Sequence, residues 1–309
     1  MVYMSEVVFN NKMESWEENL RDLPQRLKAI NEKPPLRHGK PYAIVSDISE
    51  QFYCEMKVEM ELRYGRAETE MKRKGEEIHE ELLRMEKAEL EDFINGIKLS
   101  RLYPASLPLA AEVEGIPIIG KPDCVAFSRG CPAFVSELKT FGGGIFRLHN
   151  DHVVQAMIYA LLLEEMGFDC SRTTLHIVGA RRELDQNIQK EIRMPLIYLQ
   201  YILHLKFTDY LRTTQRAVYI SKEMLAILDG ILSKQSDLKR VAELMSSNAL
   251  SIFLVPYSRE KALNDLRWAK AYWTNERKEP KPTQKPGKCA VCEFADRCPA
   301  SSSSSSSKP

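Results

Sequence analysis

Two stretches of the 309-residue chain hold side chains whose type and spacing suit hydrolysis. The first is "GKPDCVAF", with Gly120 and Asp123; the second is "VSELKT", with Glu137, Leu138 and Lys139. In a strand, alternate side chains share a face, so Glu137 and Lys139 point the same way and Leu138 points into the core. If the two strands pair, Asp123 comes to lie beside Glu137. Two adjacent carboxylates repel unless a cation sits between them, which suits a divalent metal, and the Leu138 carbonyl can add another oxygen ligand. A neighbouring lysine can hold or polarise an attacking water. The triplet also has a plainer reading, with Asp123 capping a turn and Glu137 and Lys139 on an exposed strand face.

Three more features bear on the choice. His79 sits in "GEEIHEEL" on a charged helix, where a solitary histidine is usually structural. Gln155 and Tyr159 stand four apart in an apolar helix, on one face, and need polar partners there. Near the far end, "KCAVCEFADRC" places Cys289, Cys292 and Cys298 in a C-x2-C-x5-C pattern. Three thiolates leave a four-coordinate site one ligand short. Cys54 is a remote candidate for the fourth; Cys124, Cys131 and Cys170 fall in expected strands or loops of the core.

The order of these residues, His, G-x-x-D, E-x-K, Q-x-x-x-Y, then the cysteines, resembles the RecB-type branch of the PD-(D/E)xK nucleases. The tail "LRWAKAYWTNERKEPKPTQKPGKCAVCEFADRCP" resembles in particular the CRISPR-associated RecB-like iron–sulfur exonucleases. The resemblance implies His79, Asp123 and Glu137 as metal ligands and Lys139 as the catalytic lysine. It implies Gln155 and Tyr159 as a helix motif contacting the lysine or the DNA backbone. Cys54 with Cys289, Cys292 and Cys298 would bind a four-iron four-sulfur cluster; the same four thiolates also suit zinc. The implied cofactors are that cluster and Mn2+ or Mg2+, with the histidine making manganese acceptable. The implied substrate is single-stranded DNA, the setting spacer acquisition, and the partners CRISPR integrase proteins. The competing expectations are an iron–sulfur nuclease of repair or replication, and a non-catalytic DNA-binding scaffold of an integrase complex. The cluster is expected to act as a mechanical staple between the front of the chain and its tail.

Those side chains need elements to place them. The expected fold is α/β, a restriction-endonuclease-like mixed sheet flanked by helices, with the cluster joining N- and C-terminal segments. The divisions expected are an N-terminal extension (1–40), a nuclease core (41–190), a helical region (191–280), the cysteine segment (281–300) and a serine-rich tail (301–309). Ser46 or Asp47 is read as capping a helix that Gly65 stops, and residues 70–94 as one long charged helix. Residues 109–141 read as strands joined by turns at Gly115 and at Ser128–Gly130, and "GGG" at 142–144 as a loop. An apolar helix follows from Asp151. "RTTLHIVGA" and "QKEIRMP" read as strands, and about 195 to 275 as helical in pattern, with Ser221 a cap and a loop before "SREKALNDLRW".

Bulk properties bound the function classes. The net charge of +1 announces no nucleic-acid partner, so phosphate contacts must be local; Lys72, Arg73, Lys74 and the basic linker 277–288 are the candidates. Apolar residues at 44% and charged residues at 28% are a globular composition. No apolar run is long enough for a membrane span and no signal-peptide plan opens the chain, so a cytoplasmic protein is expected.

Overall fold

A computed structural model describes residues 15–66, 68–83, 88–227 and 236–300. The serine run at 301–307 and the first 14 residues lie outside them.

The strands of the catalytic stretches form tight hairpins. Strand β3 (Leu109–Val113) turns into β4 (Ile116–Gly120) through Glu114 and Gly115, both at positive φ (53° and 79°). Strand β5 (Cys124–Ser128) turns into β6 (Cys131–Phe141) through Arg129 and Gly130, at 50° and 87°. Two successive positive φ values are what a two-residue hairpin requires, and glycine takes one at little cost. β4 also pairs in parallel with the short β1 (Ala43–Ile44), giving a three-stranded sheet in the order β1-β4-β3.

The main sheet adds β2 (Tyr103–Ala105), β7 (Thr174–Arg181), β8 (Val218–Tyr219) and β9 (Leu250–Pro256), in the order β2-β5-β6-β7-β9-β8. Only β6 and β7 run parallel, and the crossover between them carries helix α6 (Asn150–Glu165). The sheet is therefore mixed. Its strands bury both faces: Leu175 and Ile177 of β7 join one core, while Val178 and Ala180 join another. Alternation along a strand sends neighbours to opposite faces, so helices must cover both. On the first face α6 packs against α3 (Val45–Tyr64) and α10 (Arg259–Trp273). On the second, α4 (Glu70–Leu83), α7 (Gln186–Thr214) and α9 (Ser236–Ser246) cover β6, β7 and β9. The short helices α1 (Trp16–Arg21) and α2 (Leu23–Asn31) precede the sheets, with Leu20 and Ile30 buried.

Several expectations about elements are corrected. "QKEIRMP" (189–195) is not a strand but the first part of α7. Asp185 caps that helix by accepting from the Asn187 and Ile188 amides, and Ile192, Leu196, Leu199 and Leu203 repeat at helical spacing through Pro195. The region read as helical with a loop before "SREKALNDLRW" contains β9, whose run "LSIFLVP" pairs with all but the last residue of β7. The stretch 70–94 is not one helix: it divides into α4 and α5 (Leu90–Leu99). α3 starts at Val45 with Ile44 as its N-cap, so neither Ser46 nor Asp47 caps it, whereas Gly65 does end it.

Candidate active site

β5 stops pairing with β6 at Cys124↔Ser136, which leaves the next part of β6 uncovered on that edge. Asp123 fills the gap: its Oδ2 accepts the Leu138 amide N–H at 2.8 Å. Its Oδ1 lies 3.3 Å from Nδ1 of His79, brought in by α4. Glu137 and Lys139 share a face of β6 as the period of a strand demands, and Lys139 Nζ donates to Glu137 Oε1 at 2.9 Å. The same ammonium donates to Gln155 Oε1 at 2.8 Å, and Gln155 Nε2 donates to the Tyr159 hydroxyl at 3.4 Å. The amide and phenol one turn apart on α6 thus find their partners in each other and in the lysine. Leu138 sends its side chain into the second core.

Gly120 makes this packing close. A Cβ there would stand 2.5 Å from Val45 Cγ2 and 2.7 Å from the Tyr159 ring, so the strand passes where only glycine fits.

Burial pushes the Glu137 carboxyl up to about 7, and the neighbouring Asp123 charge adds to this. Burial alone would discharge Lys139, but the Glu137 carboxylate outweighs it and holds the ammonium above its ordinary range. His79 is likewise raised: desolvation works against its charge, and the hydrogen bond and charge of Asp123 overcome it.

Among the described residues, no three His, Cys, Asp or Glu side chains close on one point as a metal cage does. His79 reaches Asp123, and Glu137 is held by Lys139. One group remains unsatisfied: Glu137 Oε2 is buried and meets no donor among the described residues. A buried, unmatched carboxylate oxygen beside a second carboxylate fits a hard divalent cation.

Sequence reasoning missed two neighbours of this relay. Ser49 Oγ lies 3.4 Å from Gln155 Oε1, and nothing in "SDISEQ" signals it. His152 stands one turn before Gln155 on α6; its ring stacks on Phe146, and burial with the Lys139 charge pushes it down to about 3. Its spacing to Gln155 and Tyr159 was a usable signal.

The cysteines meet elsewhere. α3 breaks at Cys54, where φ −168° and ψ 108° are extended, and the Cys54 sulfur accepts from the Thr283 amide at 3.4 Å. Cys54, Cys289, Cys292 and Cys298 all line one narrow pocket, together with Lys57 and the buried Phe294. Cys124 and Cys170 are buried in the core with thiols pushed up to about 12 by desolvation, and Cys131 is exposed at a hairpin. The four sulfurs lining one pocket are the donors a soft metal centre takes, though their placement is not that of a closed cage.

Charged pairs also bind α3 to the tail. Arg277 reaches both oxygens of the fully buried Glu55, at 3.0 and 2.6 Å. Arg37 bridges Glu59 and the Arg277 and Lys278 carbonyls. By contrast, Lys72, Arg73 and Lys74, expected as phosphate contacts, are paired with glutamates of their own neighbourhood.

With this geometry in place, the comparisons acquire meaning. The sequence pattern of the PD-(D/E)XK nuclease superfamily matches residues 13–299. The chain belongs to the PD-(D/E)XK nuclease superfamily and is by class a metal-dependent, DNA-binding nuclease, of a superfamily that typically uses divalent ions such as Mg2+ or Mn2+. The match takes in most of the segment set apart above as an N-terminal extension. None of the curated proteins matches the sequence. One similar solved structure, titled "Crystal structure of SSO0001", is 12% identical, covers 92% of this chain and 96% of its own, and has a TM-score of 0.42. No helix among the described residues is long and apolar enough to cross a membrane.

Proposed function

We propose that this nuclease is an exonuclease of single-stranded DNA that acts inside the cell in CRISPR spacer acquisition, beside integrase proteins. The observation that carries the nuclease chemistry is the relay joining Asp123, Glu137, Lys139 and Gln155, with Glu137 Oε2 left for a cation. The strand preference and the pathway rest on the resemblance of the tail.

His79, Asp123, Glu137 and the Leu138 carbonyl would hold Mn2+ or Mg2+, which when bound neutralises phosphate charge and eases deprotonation of water. Lys139 stays charged, orients the attacking water and offsets the negative charge that develops on the phosphate. Gln155 fixes the ammonium, and Tyr159 fixes Gln155. Asp123, tied to the Leu138 amide, keeps its second oxygen turned toward His79. Cys54, Cys289, Cys292 and Cys298 would hold a four-iron four-sulfur cluster, which supplies cross-linking of α3 to the tail. A scaffold without catalysis would have no use for a charged lysine held between a carboxylate and an amide.

The test is cleavage of end-labelled single- and double-stranded DNA with and without manganese. Shortening of the single strand from an end is expected, abolished by a chelator and restored by Mn2+ or Mg2+. Lys139→Ala should lose about 10³-fold or more in rate while remaining folded. Cutting that persists in chelator, or a Lys139→Ala rate equal to the parent's, ends the assignment; cutting of circular single strands ends the exonuclease part alone.

A further inference from the structure

A second hollow, of about 360 Å³, shares Tyr53, Cys54 and Lys288 with the cysteine pocket. Its floor is α3 at Gln51–Cys54. One wall is the first turn of α6, with His149 and Asp151; the other is the segment carrying Lys281, Lys285 and Lys288. Asp151 is its one carboxylate among the described residues. Lys281 and Lys285 are exposed, and among the described residues neither ammonium group meets a carboxylate at ion-pair distance; the Lys281 amide donates to Glu55 while its ammonium lies 6.0 Å from the Trp268 ring centre. That separates them from Lys72, Arg73 and Lys74, whose charge is already spent on glutamates. A cation gains from a phosphate only if it is not already matched.

The groove's position gives the charge a purpose. Asp151 stands four residues before Gln155 on α6, so the groove opens about one helical turn, roughly 5–6 Å, from the side chain that holds Lys139. Lys288, on the far wall, donates to the Tyr53 carbonyl at 3.2 Å and lies 3.5 Å over the Tyr53 ring, next to the first of the three clustered cysteines. The Tyr53 ring is thereby taken by Lys288, and the Trp268 ring by Arg277 and Phe52, which favours backbone contact over base stacking.

We infer that this groove, between the first turn of α6 and residues 281–288, is the track along which the phosphodiester backbone of a single DNA strand reaches Lys139, gripped through Lys281 and Lys285 without regard to base sequence. The inference rests on the nuclease reading above. It also gives the 281–288 segment a role apart from carrying the cysteines.

The experiment uses the full chain with Lys139→Ala as parent and a fluorescein-labelled single-stranded 20-mer, followed by anisotropy across a salt series. Lys281→Glu with Lys285→Glu should weaken binding by roughly tenfold or more and flatten the salt dependence by about 1.4, two contacts at about 0.7 each. The exposed pair Lys206→Glu with Lys239→Glu changes net charge equally and should leave both nearly unmoved. If the reversal perturbs folding, Lys281→Gln with Lys285→Gln gives the same reading with the charge merely removed. Affinity and slope equal to the parent's, or an equal loss in the control pair, would overturn the groove. Cleavage by the wild-type chain reports on the nuclease separately: binding that depends on Lys281 and Lys285 without any cutting supports the groove and sinks the nuclease.

Discussion

At the scale of single residues, the site works because each polar group is answered by a neighbour set at a fixed spacing. Lys139 is half-buried yet charged because Glu137 is two residues away on the same strand face, and Gln155 Oε1 accepts a second hydrogen bond from its ammonium. Gly120 is where this arrangement is most exposed to change. Gly120→Ala introduces a methyl 2.5 Å from Val45 and 2.7 Å from Tyr159, so one of them must shift. Overpacking of this kind costs about 1–3 kcal/mol, and a displaced Tyr159 loosens Gln155 and, through it, Lys139. The variant should melt earlier and show a fall in kcat larger than its change in DNA affinity, read by urea unfolding and steady-state cleavage. Glu137 and Lys139 were legible in the sequence because a two-residue spacing on a strand leaves little freedom. Ser49 was not, because its contact with Gln155 depends on how α3 crosses α6, and no local pattern records a crossing.

At the scale of elements, the hairpins were legible because glycine marks the turns that need positive φ. The segment at 189–195 misled because its polar–apolar alternation is short, whereas the helical repeat that decides it extends to Leu203. β9 was hidden by helices on both sides, although its Ile, Phe and Val run before Pro256 has strand character. The packing of α7 on β7 has its own consequence. His176 on β7 and His204 on α7 both meet the Thr174 hydroxyl at 3.0 Å, and Thr208 also reaches His204. Burial pushes His204 down to about 4 and His176 well below its ordinary value. Both rings are therefore neutral when folded but take up protons near pH 6.5 when unfolded. Between pH 6.5 and 4 each of these rings takes up a proton only on unfolding, so its contribution to stability falls as pH falls, by up to about 1.4 kcal/mol per pH unit, while the raised Glu137 carboxyl acts in the opposite sense over the upper part of that range. Urea unfolding over that range should show His204→Gln less acid-sensitive than its parent, by about one proton.

At the scale of the whole molecule, the question is what ties the front to the tail. The expected staple is the set of four cysteines, and their sulfurs do share one pocket. The Arg277–Glu55 and Arg37–Glu59 pairs make the same junction without any metal. Leaving buried Glu55 unmatched costs about 3–5 kcal/mol, so Arg277→Ala should destabilise the chain strongly whatever its metal content. Under the cluster proposed above, Cys289→Ala should lower iron content and lower the melting temperature to a smaller degree. An iron-free variant as stable as the parent would count against the staple and leave the ionic pairs, with the Tyr272–Glu59 and Trp273–Gln51 hydrogen bonds, to hold the junction. This division of labour was not legible beforehand, because a C-x2-C-x5-C run advertises itself, while an arginine 222 residues from its glutamate does not.

The buried Glu55 has one more consequence, for the order in which the molecule comes into being. Its counter-ion is supplied by residue 277, so a growing chain carries α3 without that partner until a further 222 residues have been made. α3 also supplies Ser49 to the hydroxyl–amide contact behind Lys139. The surroundings of α3, and with them the support behind Lys139, are therefore complete only once the segment around Arg277 has docked.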